Sequence, residues 1–129
     1  MQKLTLTVQP SEYSIVKLPI KSKIPPEVFE SKLYSITQTQ EELSIVTESY
    51  LLKQNFNSIE EGFSLIKVEG PLDFSLTGIL SKILEPLAKE KISIFALSTF
   101  DTDYILVRKS TLQKTIQALR STGMMVNEK

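Results

Sequence analysis

The order of hydrophobic periods between residues 63 and 127 is what most constrains the fold of this chain. Phe63, Leu65, Ile66 and Val68 make a short apolar run that Gly70-Pro71 interrupts, after which Leu76, Ile79, Leu80, Ile83, Leu84 and Leu87 recur at helical spacing. That pattern predicts a strand, a turn and a helix over 74–90, with Asp73 or Ser75 as the N-cap oxygen and Pro86 bending the last turn. Two β-rich runs follow, Ile92-Ser-Ile-Phe-Ala-Leu97 and Tyr104-Ile-Leu-Val107, joined by a polar turn carrying Asp101 and Asp103, which reads as a hairpin. Ser110-Thr-Leu-Gln113 has the capping-box spacing, Leu112, Ile116 and Leu119 share a helical face, Gly123 stands past the helix end, and Met124-Met-Val126 suits a last strand. The order is βαββαβ. With short right-handed connections it gives an antiparallel sheet backed by two helices, an α+β ferredoxin-like arrangement.

The first half reads as a reduced copy. Residues 3 to 8 alternate apolar and polar until Pro10-Ser11, and Ser14-Ile-Val-Lys-Leu18 is a second β-rich run closed by Pro19. Pro25-Pro26 can open only about one helical turn, near Glu27 to Glu30. Leu33–Ile36 and Leu43–Val46 flank the polar turn Thr37 to Glu42, a further hairpin, while 49–61 fits no single element. Ser14–Leu18 matches Ser64–Val68 at an offset of 50, and Leu43–Val46 sits against Tyr104–Val107 at an offset of 61, which places Glu42 on Asp103. The expectation is two ferredoxin-like modules, residues 1–61 and 62–129, the first with its first helix shortened.

Charge and composition remove several classes of function. Fifteen basic residues balance fifteen acidic ones, so nothing electrostatic favours nucleic acid or an anionic membrane. Cysteine and histidine are both absent, which takes away thiolate chemistry, the commonest general base and the commonest metal ligand. An enzyme is not expected, nor a cofactor. The N-terminus lacks a signal-peptide pattern and no run of eighteen apolar residues occurs, so a cytoplasmic protein is expected.

The start of the 74–90 helix offers free backbone N–H groups, and the turn after Leu97 offers carboxylates. A zwitterion suits a gap between them. Here the residues carry a resemblance: Glu69-Gly-Pro-Leu-Asp-Phe-Ser-Leu-Thr-Gly-Ile-Leu80, Pro86-Leu-Ala88, Ile92 through Val107, Pro25-Pro26 and Tyr34 through Val46 resemble small bacterial tandem ACT-domain proteins. The string Ser98-Thr-Phe-Asp-Thr-Asp-Tyr-Ile-Leu-Val107 is also similar to the ACT repeats of the CASTOR arginine sensors. The resemblance implies βαββαβ modules that bind a free amino acid at a domain interface and regulate another protein. It places the ligand-contacting residues at Ser75, Leu76, Thr77 and Gly78 and at Ser98, Thr99, Phe100, Asp101, Thr102 and Asp103. Asp103 is favoured as the acid because it directly precedes the returning strand. Sheet edges without charge or proline, at Phe95 to Leu97 and Ile105 to Val107, imply a two-fold homodimer.

Plainer explanations stand beside these. Asp101 and Asp103 can serve as turn formers, and Thr77 and Ser98 as hydroxyls that satisfy nearby backbone. A glycine at position 78 inside a helix costs about 1 kcal/mol and suits helix-to-sheet packing as well as a ligand. Phe95 and Phe100 read as core or interface residues. The alternative function is structural dimerisation with no ligand.

Overall fold

Leucine and valine alternate with polar residues from Leu4 onward, and the strand they begin does not stop at Pro10. In the computed structural model, which describes residues 4–70 and 78–129, β1 runs unbroken from Thr5 to Leu18. Residues Thr5–Val8 pair with one neighbour and Tyr13–Leu18 with another, so Pro10 falls between the two registers and forfeits no ladder bond to either. After β1 come a 3-10 turn (Pro26–Glu30), β2 (Ser35–Gln38), β3 (Leu43–Glu48), a 3-10 turn (Ser49–Leu51) and β4 (Ser58–Val68). Then follow α1 (Ile79–Lys89), β5 (Ile94–Ser98), β6 (Asp103–Arg108), a 3-10 turn (Lys109–Thr111), α2 (Leu112–Ser121) and β7 (Met125–Glu128). The chain divides into two compact units, Met1–Pro10 with Ser64–Lys129, and Ser11–Phe63, whereas the sequence reading draws its boundary between residues 61 and 62. Both β1 and β4 run across the division.

In the unit that includes the C-terminus, β4 through β7 have the expected βαββαβ order. Its strand sequence across the sheet is β7, β1, β4, β6, β5, with the first residues of β1 wedged between β7 and β4. Thr5↔Met125 through Val8↔Glu128 is a parallel register, and Ile94↔Val107 through Ser98↔Asp103 an antiparallel one. The core takes Leu6, Ile66, Val68, Ile105 and Val107 from strands, Ile83 and Leu87 from α1, and Ile116 and Leu119 from α2. Ile105 to Val107 are fully buried within the sheet rather than at an edge, which β5 occupies.

Helix boundaries differ from the periodicity. Gly78 is the N-cap of α1 with φ 76°, a left-handed conformation that cannot continue a helix, so α1 begins at Ile79; Asp73 and residues 74–77 lie outside the described residues. Of its apolar stripe, Ile83 and Leu87 are buried, while Ile79, Leu80 and Leu84 pack at the margin and Leu76 lies outside the described residues. The capping box is not used: α2 starts at Leu112 after a 3-10 turn, its N-cap Thr111 makes no side-chain cap, and Thr111 Oγ1 donates to the Arg108 carbonyl at 3.1 Å.

In the unit Ser11–Phe63 the strand order is β2, β3, β1, β4, again ferredoxin-like, with each helix position filled by a single 3-10 turn. Pro25-Pro26 opens the first of these, as expected, and Val28 plugs a small core with Val16 and Ile45. Glu48 is buried here. Burial alone would raise its pKa, but hydrogen bonds from Ser11, from the Lys32 N–H at 2.7 Å and from Ser31 Oγ at 3.3 Å, with the Lys32 charge, hold it below the ordinary 4.5.

Two consequences can be measured. Ile83→Ala, at a fully buried position, should cost about 2–5 kcal/mol in denaturant unfolding, with Leu80→Ala costing clearly less. Because the Glu48 pKa is depressed by folding, its contribution is complete above the unfolded-state value and is lost as pH falls through the folded one. Thermal melts should therefore fall as the pH drops below about 4.5, and Glu48→Gln should lose about 1.5–3 kcal/mol at neutral pH while showing a shallower acid slope.

Candidate functional site

The hairpin between β5 and β6 closes on the pair Ser98↔Asp103, leaving Thr99 to Thr102 as its turn. Thr99 N–H donates to the Thr102 carbonyl at 2.8 Å, its Oγ1 donates to the same oxygen at 3.1 Å, and the Thr102 N–H donates back to Thr99 Oγ1 at 3.3 Å. A hydroxyl that satisfies local backbone in this way fixes a turn without glycine. Thr102 is also buried, and its Oγ1 donates to the Val68 carbonyl at 2.5 Å, tying the turn to the end of β4.

Beside that tie is a cavity of about 210 Å³ lined by Lys67, Gly70, Thr99, Asp101, Thr102 and Tyr104. Successive strand residues point to opposite faces. Ile66 and Val68 enter the core under the helices, so Lys67 emerges on the far face, and Tyr104 does so beside Ile105. The cavity thus holds a cation on a strand and a carboxylate on a turn. Lys67 Nζ lies 3.7 Å from Glu69 Oε1, both side chains being 38% exposed, an arrangement weak enough for another anion to compete. Asp101 has no ion pair among the described residues.

The expected site residues separate into groups. Thr99, Asp101 and Thr102 line the cavity. Ser98 and Asp103 do not; Ser98 Oγ donates to Asp103 Oδ1 at 2.5 Å across the closing pair, so the carboxylate favoured by the sequence is engaged within the hairpin. Phe100 is 80% exposed and belongs to no core. Gly78 caps α1, where an added Cβ would meet nothing within 4 Å, so its backbone conformation and not a close approach requires glycine. Ser75, Leu76 and Thr77 lie outside the described residues. Sequence reasoning missed Lys67 and Tyr104. The signal was present in the match of Ser14-Ile-Val-Lys-Leu18 to Ser64-Leu-Ile-Lys-Val68, where lysine is the one charged position in both.

A larger groove of about 610 Å³ runs between α1 and α2 over Leu4, Pro86 and Met124. Its charged rim is solvent-facing and partly self-paired, Glu85 with Lys89 at 3.8 Å, so it offers less to a small charged ligand than the hairpin cavity does. Among the described residues no group of acidic side chains could hold a metal, and no helix is long and apolar enough to cross a membrane.

The family comparisons fit this hairpin. The ACT-domain family model matches residues 58–121, which contain β4, α1, β5, β6 and α2. The chain belongs to the ACT-domain family. A second family model, for an N-terminal domain, matches residues 11–50. The cytosolic arginine sensor for mTORC1 subunit 1 of Bos taurus is 29% identical over 110 residues, covering 78% of this chain and 33% of the sensor. The chain spans between 33% and 63% of the length of the curated relatives it matches first. A crystal structure of a protein from Agobacterium tumefaciens is 33% identical, with a TM-score of 0.92 over 100% of this chain and 96% of that one. The regulatory subunit of aspartate kinase from Thermus flavus, at 8% identity, shares the fold with a TM-score of 0.65 over 95% of this chain and 99% of the subunit.

The tie between turn and strand in this ACT-domain protein is testable. Thr102→Val keeps shape and leaves the buried Val68 carbonyl unpaired, so it should cost about 1–3 kcal/mol in thermal unfolding, and Thr102→Ser should recover most of the loss.

Proposed function

We propose that this ACT-domain protein is a regulatory module, not an enzyme, that binds a free amino acid in the hairpin cavity. The observation that carries the reading is the pairing of Lys67 and Asp101 in one cavity on the ACT hairpin. Asp101 takes the ligand ammonium and Lys67 its carboxylate, with the Thr99 and Tyr104 hydroxyls completing the shell. At about 210 Å³ the cavity is below the usual range for drug-sized ligands, as a small zwitterion requires. L-Arginine is the first probe, because related proteins are named as arginine sensors, and the same names support a cytosolic site of action.

Such a module regulates by changing how it meets another chain. β5 lies at the end of its unit's strand order, and Ile94–Ser98 contains neither charge nor proline to blunt an edge. A two-fold homodimer through β5 follows from that edge, and pairing without a ligand is the second reading it supports. Sedimentation at micromolar concentration should show a species of twice 14.6 kDa, and Ala96→Pro should reduce it to the single chain.

A thermal-shift screen of the proteinogenic amino acids should raise the melting temperature for one or two of them, by about 2.7 kcal/mol at 100 times the dissociation constant. Asp101→Asn keeps the turn and removes the charge. A charge-assisted contact of about 1.5–3 kcal/mol is lost, so affinity should fall ten- to a hundredfold by titration calorimetry. Asp103→Asn should leave affinity unchanged. A flat screen, or an Asp101→Asn protein with undiminished affinity, contradicts the reading.

A further inference from the structure

The two hairpins of this chain are built to one plan, and the measured registers correct the repeat spacing from 61 residues to 60. Under a shift of 60, β3 (Leu43–Glu48) falls on β6 (Asp103–Arg108) at equal length, and the 3-10 turn Ser49–Leu51 falls on Lys109–Thr111. The closing pair Gln38↔Leu43 falls on Ser98↔Asp103. Thr39 N–H donates to the Glu42 carbonyl at 2.9 Å, as Thr99 N–H does to Thr102 at 2.8 Å. Thr39 Oγ1 accepts the N–H groups of Glu41 and Glu42 at 3.1 and 3.2 Å, so a threonine hydroxyl again fixes the turn. The counterpart of Asp101 is therefore Glu41, and at the offset of 50 the counterpart of Lys67 is Lys17.

These two counterparts line one cavity. Within the unit Ser11–Phe63, a space of about 360 Å³ lies beside the end of β1 and the hairpin turn, with Lys17, Glu41, Asn55, Phe56 and Asn57 among its walls. Lys17 stands opposite Ser44 in the β1–β3 register, and Ser44 is the counterpart of Tyr104, which shares the first cavity with Lys67. Neither Lys17 nor Glu41 has an ion pair among the described residues. Strand ends and turns carry charges in most proteins; a lysine and an acid recurring at both repeat positions and lining a cavity each time is more than exposure requires.

We infer that the cavity of the unit Ser11–Phe63 is a second amino-acid site, with Glu41 on the ammonium and Lys17 on the carboxylate. Its larger volume and its Asn55, Phe56 and Asn57 wall admit a longer side chain with a polar end, stacked on the ring and held by the two amides. The inference rests on the function proposed for the first cavity, since it transfers that chemistry through the repeat.

Titration calorimetry separates the two. Each amino acid that shifts the melting temperature of the wild-type chain or of the Asp101→Asn chain is titrated into wild type, Asp101→Asn, Glu41→Gln and the double variant; both acids are exposed, so the variants should keep the fold. The expected result is that Asp101→Asn retains one binding event per chain, which adding Glu41→Gln weakens ten- to a hundredfold. If wild type binds one amino acid per chain and Asp101→Asn abolishes it, the second site is overturned while the first stands. Residual binding in Asp101→Asn that Glu41→Gln leaves unchanged also overturns it. Absence of binding to all four chains overturns both.

Discussion

A single buried hydrogen bond determines where the chemistry of the C-terminal hairpin sits. Thr102 Oγ1 donates to the Val68 carbonyl at 2.5 Å, at the point where β4 ends and its last backbone acceptor would otherwise be buried without a partner. The bond holds the turn against the strand that carries Lys67. Because Thr102 is occupied inward and Thr99 closes the turn on itself, Asp101 is the acid left beside Lys67. Ser98 and Asp103 satisfy each other at the hairpin mouth and add rigidity there, not charge to the cavity.

The two units reach one topology with different amounts of core. Where the C-terminal unit places α1 and α2 with Ile83, Leu87, Ile116 and Leu119 over its sheet, the other has one-turn segments anchored by Val28 and Leu51. A 3-10 turn buries far less apolar area than a three-turn helix. Glu48 compensates by hydrogen bonding: its side chain and backbone meet Ser31 and the Lys32 N–H, stitching the segment after the first 3-10 turn to β3. Such a clamp depends on charge, so this unit is the more sensitive to acid.

Much of this architecture was legible in the sequence, because period and punctuation are local. The βαββαβ order, both hairpins and the single turn after Pro25-Pro26 follow from spacing and from proline geometry. Other features depend on partners that no local pattern reveals. β1 passes through Pro10 because its neighbours change there, and α1 starts at Ile79 because Gly78 adopts a left-handed conformation. Asp101 and Asp103 look alike in the sequence, and only the register, which pairs Asp103 with Ser98, separates them. Lys67 was hidden as one polar residue in an apolar strand, although its repetition as Lys17 was a clue.

The central claim is that an amino acid occupies the cavity between Lys67 and Asp101. Backbone amide chemical shifts followed by NMR during titration with the amino acid that stabilises the protein most test it directly. The account predicts shifts concentrated at Lys67, Gly70, Thr99, Asp101 and Tyr104. Shifts confined to the groove between α1 and α2, around Glu85 and Ser121, with the hairpin amides unmoved, would contradict it.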